Sequence, residues 1–110
     1  MFTGSLVVDV LFGDVHSLKE KRSVIRPVVA ELRRRFEVSA AEVGDANLHR
    51  RAQIGVAVVA GDAGHVIEVL DACERLVAGR SELELLSARR QLISDSDWET
   101  PSPEPGSVHA

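Results

Sequence analysis

Apolar residues fill Leu6-Val-Val-Asp-Val-Leu-Phe12 except at Asp9, and the run stops at Gly13-Asp14. That pattern predicts a strand buried on at least one face. The period then changes. Leu18, Ile25, Val29, Leu32 and Phe36 fall on one side of a helix at about 100° per residue. Ser17 and Glu20 have capping-box spacing, the Ser hydroxyl taking a free amide and the Glu reaching back to the Ser amide. Pro27 removes one helical hydrogen bond and crowds the carbonyl four residues earlier, so a kink or a restart is expected there.

Val38 to Val43, ended by Gly44-Asp45, predicts a second short strand. Ala52 to Ala60, with Ile54, Val56, Val58 and Val59, predicts a third, broken by Gly61-Asp62-Ala63-Gly64. A second helix beginning near Gly64 carries the stripe Val66, Val69, Leu70, Cys73, Leu76 and Val77 and closes at Gly79. Leu83 to Ile93 supplies a last strand of poor alternation, in which Arg89-Arg90 are expected beyond the paired part. The order βαββαβ with short connections is the sequence form of an α+β, ferredoxin-like sandwich: a four-stranded antiparallel sheet with two helices on one face.

Composition narrows the class. The 110 residues, 45% apolar and 27% charged, suit one soluble domain with one core. From Ser94 the chain carries three prolines, four acids and no Lys or Arg, which predicts a folded domain over 1–93 and a disordered acidic tail over 94–110. Without those four acids the remaining 13 acids balance 13 bases, so the tail holds the whole net charge of -4. A single cysteine, Cys73, excludes a disulfide framework and a multi-cysteine zinc site and fits a reducing cytoplasm. Met1-Phe-Thr-Gly4 has no basic leader, and Asp9 interrupts the apolar run well short of the roughly 20 residues of a membrane span. No membrane role is expected.

The run Asp14-Val-His-Ser-Leu-Lys-Glu-Lys-Arg-Ser-Val-Ile-Arg-Pro, with Arg35-Phe-Glu-Val-Ser-Ala-Ala-Glu-Val and Arg51-Ala-Gln-Ile-Gly-Val-Ala-Val-Val, resembles the YlxP-like family of small bacterial proteins over about positions 2 to 93. The resemblance implies a ferredoxin-like fold, a bacterial cytoplasm, and genes often placed beside those for translation initiation and ribosome maturation. It implies no established activity. Family members often place an aromatic residue just before the third strand, where this chain has His49 ahead of Arg50-Arg51, so stacking on a base has no support at that position.

Charge is concentrated in one element. Ser17 to Phe36 holds seven basic residues against Glu20 and Glu31. Lys19, Arg22, Arg26 and Arg33 fall within about a 60° sector of the first helix, with Lys21, Arg34 and Arg35 nearby. Such a ridge suits the phosphates of structured RNA. It equally suits a solvated face whose charges pair with Glu68, Asp71 and Glu74 of the second helix. Arg50 and Arg51 add cations at the hairpin end, beside Asn47 and His49, as phosphate contacts or as an ordinary polar turn. The central strands lack the aromatic residues that stack bases in RNA-recognition motifs, so RNA would be met by backbone and shape.

Catalytic signals are thin. Asp9 and Asp14 stand five apart across a strand end with no third ligand, His16, His49, His65 and His109 are scattered, and Cys73 lies on a buried stripe. Neither glycine cluster matches a dinucleotide or phosphate loop. The expectation is a protein without enzymatic activity, cofactor or metal, contacting rRNA or a ribosomal particle through Lys19, Arg22, Arg26, Arg33, Arg50 and Arg51. The alternative is a homodimeric protein–protein interaction module with no nucleic-acid role. Its dimer surface would be the open sheet face around Val7, Leu11, Gly55, Ala57 and Val59, unless Trp98 and the C-terminal segment cover it.

Overall fold

In the computed structural model, which describes residues 1–99, alternate side chains of the first strand, β1 (Phe2–Phe12), are buried from Gly4 to Phe12. The element extends four residues further toward the N-terminus than its aliphatic run, because Phe2 to Ser5 continue to pair with neighbours on both sides. Then follow α1 (Leu18–Arg35), β2 (Ser39–Val43), β3 (Arg51–Ala60), α2 (Ala63–Ala78) and β4 (Leu83–Ser94). The sheet order is β2-β3-β1-β4, antiparallel throughout. This is the βαββαβ sandwich the sequence predicts.

Inward residues of β1 and β3, such as Leu6, Val8, Phe12, Ile54 and Val56, pack with Ile25, Val28 and Leu32 of α1 and Val66, Leu70, Cys73 and Val77 of α2 into one core. Gly4 is required where α2 crosses the sheet, because a Cβ there would collide with Val66 Cγ1.

α1 runs unbroken through Pro27, so the helix does not restart there. The missing hydrogen bond costs about 3 kcal/mol, but each buried Ile, Val or Leu on the inner face contributes roughly 1.5–3 kcal/mol. Burial therefore wins. Ser23 and Pro27 are both exposed, so the carbonyl that loses its partner opens to water. At the helix start Ser17 Oγ accepts from Glu20 N at 3.1 Å, but the Glu20 carboxylate takes the amide of His16, not that of Ser17.

Two further expectations change at the C-terminal side. Arg89 and Arg90 are paired, opposite Val7 and Leu6, after a bulge at Leu86 lets β4 keep its register. Beyond Ser94 the chain forms a turn of 3-10 helix, Asp95–Asp97, capped by Ser94 and tied to Met1 by Asp95 N–H donating to the Met1 carbonyl at 3.0 Å. Positions 94–98 of the expected tail thus have described structure and Trp98 is exposed, while 100–110 lie outside the described residues.

Candidate functional site

α1 places a lysine where its helical period calls for an apolar residue. Lys21 stands with Ile25, Val28 and Leu32 on the inner face and is 1% exposed. Its three ammonium protons have three oxygens within reach: Glu42 Oε2 at 2.8 Å, the Ala46 carbonyl at 3.1 Å and the Leu48 carbonyl at 2.7 Å. Both carbonyls belong to the connection between β2 and β3. The Glu42 contact is an ion pair without an aligned hydrogen bond. This clasp corrects the assignment of Lys21 to the surface charge beside the ridge.

The connection is shaped for that role. Gly44 holds φ +72°, the left-handed region that favours glycine, and Asn47 N–H donates to Asp45 Oδ1 at 3.0 Å in a local turn. Asn47, Leu48 and His49 are exposed on its outer side. Lys21 therefore holds this loop against the first turns of α1.

On the outer side of those turns Lys19, Arg22 and Arg26 are exposed and line one shallow hollow with Ser23 and Pro27. Among the described residues none of the three has an ion-pair partner. Two of the three acids that α2 was expected to offer, Asp71 and Glu74, are engaged elsewhere, because Arg90 of β4 contacts them at 2.5 Å and 3.0 Å, and Glu68 pairs with no cation among the described residues.

The remaining basic residues separate. Arg33 lies about 21 Å further along the helix axis than Lys19 at 1.5 Å per residue, and its Nε donates to the Ala40 carbonyl at 2.9 Å, which draws it toward β2. Arg35 pairs with Glu31 at 3.4 Å, and Glu31 also pairs with Arg80. Arg50 and Arg51 diverge, as successive residues entering a strand must. Arg50 Nη2 lies 3.5 Å from the Phe12 carbonyl, while Arg51, opposite Leu11, belongs to the sheet face that no helix covers.

That open face has a polar end and an apolar end. Asp9 accepts from Gln53 Nε2 and from Ser87 Oγ, each at 2.9 Å, linking β3, β1 and β4. These two hydrogen bonds, helped by Arg89 and Arg51, hold its carboxyl below the ordinary carboxylate pKa. Farther along the strands Ser5, Val7, Ala41, Gly55 and Ala57 floor a shallow apolar depression at the β2 side. Among the described residues no three His, Cys, Asp or Glu side chains come together as a metal site would need. Cys73 is fully buried, and burial pushes its thiol pKa up, away from nucleophilic reactivity. No helix among the described residues is long and apolar enough to cross a membrane.

Sequence reasoning places Lys19, Arg22 and Arg26 on one side of α1, where they are found, but misses Lys21, Glu42 and Arg90. Lys21 and Glu42 do leave a signal, since each is a charge at an inward position of its element.

A family model described as "Protein of unknown function (DUF503)" matches residues 3–90. No curated protein matches the chain. Among solved structures, the chain is similar to a de novo designed protein with a ferredoxin fold, at 11% identity and a TM-score of 0.51, over 99% of this chain and 100% of that one. That likeness concerns the fold alone.

Proposed function

The chain belongs to the DUF503 family of proteins of unknown function, and from that premise we propose that it is a non-enzymatic accessory protein of the bacterial cytoplasm that binds rRNA or a ribosome-assembly intermediate through the outer face of α1. The likeness to YlxP-like proteins, with their gene neighbourhood in translation, directs the proposal to ribosomal RNA. The observation that carries it is the row Lys19, Arg22 and Arg26, three exposed cations lining one hollow and without ion-pair partners among the described residues. Surface cations that already hold acids gain little by meeting phosphate, whereas unpaired ones release counterions from the nucleic acid without first giving up a partner. The Lys21 clasp adds the outer side of the β2–β3 loop to the same region. Recognition would be by backbone and shape, because the open sheet face presents no aromatic ring among the described residues.

Fluorescence anisotropy with labelled rRNA fragments, repeated across a salt series, tests this. Changing Lys19, Arg22 and Arg26 together to Gln should weaken binding to unrelated fragments alike. The slope of log affinity against log salt should fall in magnitude by about 0.7 to 0.9 for each phosphate no longer neutralised. Circular dichroism should be unchanged. A wild-type protein without salt-sensitive affinity for rRNA or ribosomal particles removes the proposal.

A further inference from the structure

The four strands cover one face of the sheet with α1 and α2 and leave the other bare among the described residues. On that face Val59 is 60% exposed and Val43 is 37% exposed. Between them the sheet is floored by small side chains, with Ala41 opposite Gly55 opposite Val7 in one row, and Ala57 opposite Ser5 in the next. Small residues keep the floor of the shallow depression low, so a partner surface can approach the sheet closely.

The geometry points to a second copy of this chain as the occupant, packed sheet to sheet. Three observations support that occupant. First, the charges on the face balance, with Asp9 and Glu84 against Arg51 and Arg89. A surface of mixed sign and no net charge suits its own image and offers nothing to a strongly charged partner. Second, the acid on the central strand is already satisfied. Asp9 has hydrogen bonds to both oxygens from Gln53 and Ser87, so covering it does not strand an unpaired carboxylate. Third, the area is sufficient. Strands about 4.8 Å apart with a rise of about 3.3 Å per residue give this sheet a face of roughly 600 Å² per copy. Two copies would bury about 1,200 Å², the lower end of the range for specific stable interfaces. Both basic helices then face outward, on opposite sides of the pair, so association leaves the ridge of each copy free.

Sedimentation equilibrium of the full chain is the test, from low to high micromolar concentration. The expected mass is twice the 11.9 kDa of one chain. Ala57→Arg and Val59→Arg, each at an exposed position, should return it to the single-chain value with an unchanged circular dichroism spectrum. Ile67→Asp, exposed on α2 at the opposite side of the sandwich, should leave the dimer intact. A wild type that stays at the mass of one chain at high micromolar concentration overturns the inference. So does a dimer that survives both arginine variants, or one that Ile67→Asp dissociates. If one arginine variant fails to fold, the other and the wild-type mass still decide.

Discussion

Lys21 and Glu42 meet at 2.8 Å across the inner layer of the molecule, the lysine from the second turn of α1 and the glutamate from the fourth residue of β2. The lysine side chain is enclosed, and the glutamate side chain is mostly covered, at 19% exposure. The ammonium would be costly to bury alone, and its three oxygen neighbours remove most of that cost.

Removing one partner should therefore be strongly destabilising. Lys21→Met should lower unfolding free energy by roughly 3–5 kcal/mol, because it leaves the Glu42 carboxylate and two loop carbonyls without their cation. Lys21→Met combined with Glu42→Leu should recover a substantial part of that loss. Urea denaturation of the two single variants, the double variant and the wild type gives the coupling directly. Purely additive effects would show that the two side chains act independently.

Gly4 makes a second, purely steric prediction. Gly4→Ala places a methyl where Val66 Cγ1 already sits, with Leu70 Cδ1 at 3.0 Å, and overpacking of this kind costs about 1–3 kcal/mol. Val66→Ala in the same chain should relieve it, so the double variant should lose less than the sum of the two single losses. Thermal unfolding of the set reads this out.

Pro27→Ala should stabilise the protein. The exchange restores a helical N–H aimed at the Ser23 carbonyl, worth about 3 kcal/mol on the helix propensity scale. It also frees the unfolded chain, which offsets about 0.4–1 kcal/mol of that gain. A net gain of roughly 2 kcal/mol is expected. A loss in chemical denaturation would show that the ring makes contacts beyond its exposed position.

The Asp9 network sets an acid dependence with a definite sign. Because the carboxyl is held below its ordinary value of 3.8 in the folded state, the folded protein binds its proton less readily than the unfolded chain. The stability it contributes is complete above that ordinary value and is lost as pH falls through the lower folded one. Gln53→Leu with Ser87→Ala should raise the Asp9 midpoint, seen by carbon NMR of the carboxyl group, and flatten the acid limb of the stability curve. An Asp9 midpoint unmoved by the double change would assign the depression to Arg89 and Arg51 instead.

The order and type of the elements were legible because most have a strong period or a clear stop: the aliphatic run to Phe12, the stripe from Val66 to Val77, the breaks at Gly44 and Gly61. Boundaries were less so. Phe2 to Ser5 lack the aliphatic signature and join β1 only because β3 and β4 flank them. Arg89 and Arg90 look like the end of a strand until the acids of α2 are placed beside Arg90. The ridge angle of Lys19, Arg22 and Arg26 follows from helical period alone, yet nothing local shows that Arg33 bends to the Ala40 carbonyl or that Arg51 leaves on the other face. Lys21 is the least legible position. Its charge suggested the surface, and only its angle, with that of Glu42 in β2, pointed inward.

The strand order has a consequence for how the molecule comes to exist. β1 is central, and its two neighbours come from positions 51–60 and 83–94, so no hairpin of adjacent strands includes it. Nearly all of its pairing must wait for distant chain, and folds dominated by such contacts close on the slower side of the millisecond range because loop entropy is lost before those contacts offset it. During synthesis the early segment Phe2 to Phe12 emerges first and finds its second edge last. Until Ser94 is free, one side of its backbone stays unpaired, an open edge in the middle of what becomes the sheet.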